Sequence, residues 1–156
     1  MDVSVKQVTT ARDTRQFLDF VSQARDFTYH SNLHGYAFIA ERHQRVVGAS
    51  VVRYGATQDY RTGIPVPDAA VITYLYVEPA SRGHGVGTGL IHHVEGVFRN
   101  AGWPELYVEA NDPAFWRRRG YEHLDAGNTS YIMRKGLSPD EPDRPANVQP
   151  SPQLPA

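Results

Sequence analysis

The chain contains no cysteine. Disulfides, thiolate metal sites and a covalent cysteine acyl-enzyme are thereby excluded. Net charge is nearly absent as well: 16 Lys and Arg face 17 Asp and Glu, for a formal −1. That balance supplies no field to gather nucleic acid, so no nucleic-acid partner is expected. Long hydrophobic runs are missing; none approaches the ~18 residues of a membrane span, and no membrane partner is expected. The first residues, Met-Asp-Val-Ser-Val-Lys, lack a signal-peptide pattern, and the cytoplasm is the expected location. His92 and His93 have no partners that would make a metal site; no metal is expected.

What the chain does have is enough length for one domain with one core. Residues 1–137 alternate apolar periodicities, whereas residues 138–156 hold six of the eleven prolines, at 139, 142, 145, 150, 152 and 155. The tail is expected to be disordered. A proline-rich partner segment is the sharper alternative, since Pro139, Pro142 and Pro145 repeat at threes.

Within 1–137, Val3–Val8 alternates like a half-buried strand. Thr10 and Asp13 cap a helix running to about Arg25. Residues 26–35 read as a second short helix or a loop. Tyr36–Glu41 and Val46–Tyr54 form a hairpin around His43-Gln44-Arg45. Gly55–Asp68, with Gly63, Pro65 and Pro67, reads as a loop. Ala69–Val77 is a strand and Thr88–Asn100 a helix, stopped by Gly102. Glu105–Glu109 is a strand, Pro113 opens a short helix, and Tyr121–Leu124 and Ser130–Lys135 close the domain as strands. The order predicts an α/β fold (α+β mixed sheet), a central mixed β-sheet flanked by helices.

The most informative segment is residues 75–89, Leu-Tyr-Val-Glu-Pro-Ala-Ser-Arg-Gly-His-Gly-Val-Gly-Thr-Gly. A strand feeding a glycine-rich turn into a helix N-terminus holds phosphate, because the first helical N–H groups lack partners inside the helix. Spacing decides which phosphate ligand. No lysine follows the glycines, so the P-loop is excluded. A G-x-G-x-x-G fingerprint starting at Gly83, Gly85 or Gly87 would need glycine at Thr88, Leu90 or His92, and all three registers fail. The pattern that fits is V-x-P-x-x-R-G-x-G-x-G on Val77, Pro79, Arg82, Gly83, Gly85 and Gly87. It resembles the acyl-CoA motif of the GNAT superfamily of N-acyltransferases. Residues 106–121, Leu-Tyr-Val-Glu-Ala-Asn-Asp-Pro-Ala-Phe-Trp-Arg-Arg-Arg-Gly-Tyr, resemble that family's next strand, splay and aromatic helix.

The resemblance implies a GNAT-like sheet that splays between the strands ending at Val77 and Ala110, with acetyl-CoA as co-substrate in the gap. It implies cofactor contacts from Val77, Arg82, Gly83, His84, Gly85, Val86, Gly87 and Thr88, with Asn111 at the pantetheine arm and Phe115 as apolar wall. A homodimer is compatible with the family's habits. The implied reaction is direct transfer of acetyl to a primary amine of a small molecule or peptide, with no covalent enzyme intermediate. Trp116 departs from the pattern. Many members have tyrosine there as the acid for the leaving thiolate, and an indole N–H cannot serve so near neutral pH. A catalytically silent acyl-CoA-binding or sensing module is the rival reading that this departure favours.

An acceptor amine must be neutral to attack. Deprotonating a lysine-like amine at pH 7 costs about 4.6 kcal/mol, against about 1–1.4 kcal/mol for an α-amino group. A base is therefore useful, and the candidates are Glu109, Tyr107 and Glu78, with Glu109 and Tyr107 on one face of their strand. Tyr29, His30, His34, Asp59, Tyr60 and Asp68 lie in segments that cover the acceptor site in the family.

Overall fold

The computed structural model describes residues 2–24 and 35–137. The readings for residues 25–34, including Tyr29, His30 and His34, and for the tail from Ser138 lie outside the described residues. The elements are β1 (Ser4–Gln7), α1 (Ala11–Val21), β2 (Gly35–Arg42), β3 (Arg45–Gln58), β4 (Pro65–Val77), α2 (Val86–Asn100), β5 (Glu105–Glu109), α3 (Pro113–Arg117), β6 (Glu122–His123) and β7 (Ile132–Gly136). The seven strands form one mixed sheet in the order β1-β2-β3-β4-β5-β7-β6. Neighbours are antiparallel except β4 and β5, which run parallel. The mixed sheet expected from the element order is what forms.

The two faces are covered differently. On one, Leu90, Ile91, Val94 and Phe98 of α2 pack on Phe38, Val52, Ile72, Leu106 and Val108. On the other, Phe17 and Val21 of α1 cover Ile39, Ala49, Val51 and Tyr74. Thr10 caps α1 as expected: its Oγ1 accepts from the Asp13 N–H at 3.0 Å, and Asp13 accepts back from the Thr10 N–H. Lys6 then bridges Asp13 and Glu41, both at 3.0 Å.

The reading of 55–68 as a loop needs correction. β3 runs on to Gln58 and β4 begins at Pro65, with Thr57 opposite Val66 and Gln58 opposite Pro65. The turn proper is only 59–64. A two-stranded arm has free edges, so prolines that lack an N–H cost it little. Pro67 and Asp68 fall in the irregularity of register between Gly55 and Thr57, where Asp68 has φ +45°.

This arm folds back over the sheet. Val66, Ala69 and Val71 pack with Ile132, against Tyr107 and Leu124. Its tip is held by Asp59, which is fully buried. One carboxylate oxygen accepts from the Ile132 N–H at 2.7 Å. The other accepts from the Arg61 N–H at 3.1 Å, the Thr62 N–H at 2.8 Å and the Thr62 hydroxyl at 2.9 Å. Burial alone would raise its pKa, but these hydrogen bonds outweigh it and hold the carboxyl below the usual range. Asp59 thus anchors the arm, and its side chain is not available to choose a substrate.

Asp59→Ala leaves several buried donors unanswered and should lower stability by about 2–3 kcal/mol in urea unfolding at pH 7. Because the folded pKa is depressed, the difference from wild type is fully present above the unfolded pKa. It should shrink as pH falls through the folded one.

Candidate active site

The site begins where β4 and β5 part. They pair only at Val71 with Tyr107 and Ile72 with Val108. On the β3 side, Val52 faces Ile72 and Val51 faces Tyr74, so Thr73 is an extra residue in β4. Such a bulge bends and twists its strand. β4 therefore swings away from β5 directly after its last parallel pair. On the far side, β5 ends at Glu109, the Ala110 N–H donates to the Tyr131 carbonyl, and Asn111-Asp112 lead into α3.

The exposed edge of β4 is polar in a defined way. The Glu78 N–H donates to the Val47 carbonyl at 2.9 Å, which makes Val77–Gly48 a pair without mutual hydrogen bonds. The N–H groups of Val77 and, two residues back, Leu75 accordingly turn from β3 into the gap. The Val77 carbonyl accepts from Arg82 Nε at 2.8 Å, and the Arg82 guanidinium lies 5.3 Å from the Tyr76 ring centroid.

Two adjacent hollows occupy the gap. The outer one, of about 430 Å³, is lined by Val77, Arg82, Gly83, Gly85, Val86, Gly87, Thr88 and Phe115. These are residues the sequence singled out, and the structure brings them together. His84 is exposed and does not line it. Gly83 and Gly85 have φ +79° and +83°, with Gly85 as the N-cap of α2, which explains glycine there by backbone geometry. Gly87 is different. Its φ is not positive, and an added Cβ would meet only Val77 Cγ2 at 3.7 Å. The fold itself tolerates a side chain at Gly87, so the room it leaves suits a ligand pressed on the helix N-terminus, as a pyrophosphate would be.

The inner hollow, of about 290 Å³, lies in the V between the strands and is lined by Ile72–Tyr76, Val108, Glu109, Asn111, Asp112, Phe115 and Trp116. Leu75, Tyr76 and Phe115 line both hollows, which are neighbours on either side of these residues. Asn111 reaches the inner one, and its Oδ1 accepts from the Tyr131 hydroxyl at 2.8 Å. Trp116 is 5% exposed and stands edge-on to Phe115 and Tyr121, each at 5.2 Å. It is a wedge of the core that shows one side to the cavity.

The three candidate bases separate clearly. Glu109 lines the inner hollow, and burial raises its pKa while the charge of Arg53 acts in the opposite direction. A carboxylate made more basic beside a reaction cavity is suited to accept a proton. Glu78 does not line it. Arg45 grips Glu78 in a fork at 2.6 and 2.7 Å, and the Ser81 hydroxyl donates to it at 2.9 Å. These partners hold its carboxyl below the usual range despite burial, so Glu78 fastens the strand end and is removed as a base. Tyr107 does share a face with Glu109, but its hydroxyl donates to Glu105. Burial and the Glu105 charge push its pKa up, against Arg134, and it too lies outside the cavity.

Sequence reasoning missed Arg119. Its guanidinium donates to the Phe115 carbonyl at 2.8 Å and the Thr88 hydroxyl at 3.1 Å, and sits 3.6 Å from the Phe115 ring centroid. It straps α3 to α2 across the outer hollow, which it also lines. The signal was present: Arg119 is four residues after Phe115, on the same side of the helical turn, within the run Arg117–Arg119.

The model of the acetyltransferase (GNAT) family matches residues 7–121, and the chain belongs to that family. No curated protein matches it. Among solved structures it is similar to Arabidopsis thaliana Naa50 in complex with the bisubstrate analogue CoA-Ac-MVNAL (TM-score 0.62, 18% identity, 86% of this chain and 99% of that one). It is similar to the ribosomal-protein-S18-alanine N-acetyltransferase from Escherichia coli (TM-score 0.61, 14% identity, 91% and 98%). It also resembles AtaT complexed with acetyl-methionyl-tRNAfMet (TM-score 0.57, 18% identity, 86% and 95%). At these identities the likeness is one of fold.

Gly87→Glu should abolish acetyl-CoA binding in calorimetry while the melting temperature stays within a few degrees of wild type. Gly85→Glu should also weaken binding but destabilise the fold by about 1–2 kcal/mol, because its φ is left-handed. Unchanged affinity in folded Gly87→Glu would remove the phosphate assignment.

Proposed function

We propose that the protein transfers an acetyl group from acetyl-CoA directly to a primary amine in a ternary complex. The observation that carries this reading is Glu109, a carboxylate of raised basicity on the wall of a hollow that shares Leu75, Tyr76 and Phe115 with the one at the α2 N-terminus. The donor supplies a thioester carbonyl. In this reading the N-terminal N–H groups of α2 and Arg82 hold the pyrophosphate, with His84 at the loop's outer rim. The β4 N–H groups at Leu75 and Val77 offer the hydrogen bonds that a pantetheine arm and a developing oxyanion require. Glu109 takes the amine proton, directly or through one water, as the new C–N bond forms. The C–S bond breaks, the thiolate takes the remaining proton from the cationic nitrogen of the tetrahedral adduct or from water, since Trp116 offers only a buried indole, and Glu109 gives up its proton to solvent. A small-molecule or peptide amine is the acceptor favoured over nucleic acid, given the net charge of −1.

The buried Trp116 also favours the rival, a silent acyl-CoA-binding module. Thiol release across an amine panel separates the two: binding without release would sink the enzyme reading.

Glu109→Gln should lower turnover about 10²-fold with acetyl-CoA affinity nearly unchanged. In wild type the rate should fall as pH drops through the raised pKa of Glu109, and that limb should vanish in the variant. Stability should move the other way. A carboxyl whose folded pKa is raised costs nothing below its unfolded pKa, and its ionisation weakens the fold as pH rises towards and past the folded one. Glu109→Gln should therefore melt higher than wild type at neutral pH and equally at acid pH. An unchanged rate profile would show that Glu109 is not the base.

A further inference from the structure

The arm tip, Asp59-Tyr60-Arg61-Thr62-Gly63-Ile64, is a rigid turn on an otherwise exposed edge. The Asp59 N–H donates to the Ile64 carbonyl at 2.9 Å and the Gly63 N–H to the Asp59 carbonyl at 2.8 Å. The buried Asp59 carboxylate ties the Arg61 backbone into this turn and the whole turn to β7. Arg61 is held at its side chain too. Its Nε donates to the Tyr60 hydroxyl at 3.0 Å. Its guanidinium carbon lies 5.4 Å from the Tyr60 ring centroid and 5.5 Å from that of Tyr131. The two rings are 5.0 Å apart at 60°.

Tyr131 links this clamp to the inner cavity. Its hydroxyl donates to Asn111, which lines the cavity with Glu109, and the Glu109 charge acts on the Tyr131 phenol. Arg61 is thus linked to the cavity wall through two contacts, with Tyr131 and from Tyr131 to Asn111. Among the described residues no carboxylate pairs with it. An ordinary surface arginine loses much rotamer freedom on binding; this one is already placed, and a guanidinium fork matches a carboxylate in two parallel hydrogen bonds.

We propose that Arg61 is an acceptor-recognition residue that binds a carboxylate, so that the preferred substrates are amines carrying an acid group, such as amino acids or peptides with a free carboxylate. This rests on the acetyltransferase reading and names its substrate class. The amine end lies at Glu109 and the acid end at Arg61, with the tyrosine rings between. A polyamine, which brings only positive charge, would meet a fixed cation at the acid end and is disfavoured.

The test uses matched pairs of amines, each with a free carboxylate or its amide, assayed for thiol release with wild type, Arg61→Gln and Arg61→Glu. Wild type should prefer the acid member. Arg61→Gln should lower kcat/KM for the acid members about tenfold, mainly through KM, and leave the amides nearly unchanged. Arg61→Glu should reverse the preference. Comparing each pair's acid-to-amide ratio between enzymes cancels the difference in amine pKa between its two members. Equal loss for acids and amides in a variant of wild-type melting temperature would mean that the clamp only supports the arm, and would overturn the proposal. Binding of the same pairs to the CoA-loaded protein by calorimetry reads the preference without turnover. Acid preference without turnover keeps the carboxylate site and sinks the acetyltransferase reading; equal affinities of acid and amide sink the site.

Discussion

The site depends on one extra residue. Thr73 interrupts the register between β3 and β4, and the bend it imposes separates β4 from β5 after only two parallel pairs. In an unbroken sheet the N–H groups of Leu75 and Val77 would be spent on β5. Here they face a gap, and that gap places an open strand edge beside the unpartnered first turn of α2. Two sources of backbone donors then converge on the two adjacent hollows. Phe115 of α3 and Arg119 just after it line the outer hollow, and Arg119 bonds Thr88 of α2. The opening is thus held from both sides without a strand to fill it.

Charge placement does the rest. Glu78 and Glu109 are both glutamates at strand ends next to the gap, and composition alone makes them equivalent. Their surroundings drive them in opposite directions. Arg45 and Ser81 saturate Glu78 and keep it ionised and occupied. Glu109 is partly buried with no hydrogen-bonding fork of that kind, and burial raises its basicity. Asp59 shows a third outcome: complete burial, with enough donors to keep it ionised and to pin the arm over β7. Three carboxylates thereby become a brace, a candidate base and an anchor.

Much of this was legible in the chain. The period of 3.6 in Leu90, Ile91, Val94 and Phe98 gives α2 its buried face. Thr10 and Asp13 announce the start of α1, and Pro79 with the glycine run marks the strand-to-helix turn. The 55–68 segment was misread because glycine and proline signal turns wherever they stand. They do not report that a free-edged arm with an irregular register can carry them. Asp59 was unreadable for a related reason: its four donors come from its own turn and from Ile132, 73 residues away.

By itself, the sequence determined the family, the mixed sheet and the glycine-rich turn that leads into α2, because each is a local pattern. Strand and helix periods depend on neighbours a few residues apart, and the Arg82–Thr88 loop is contiguous. Only the tertiary structure decided which carboxylate faces the cavity, that Arg119 crosses it, that Trp116 is a core wedge, and that Tyr60, Arg61 and Tyr131 cluster and join its lining through Asn111. Those outcomes depend on strand register and on the bend at Thr73. A register moved by one residue would turn Glu109 to the opposite face of the sheet, and no local composition records that choice.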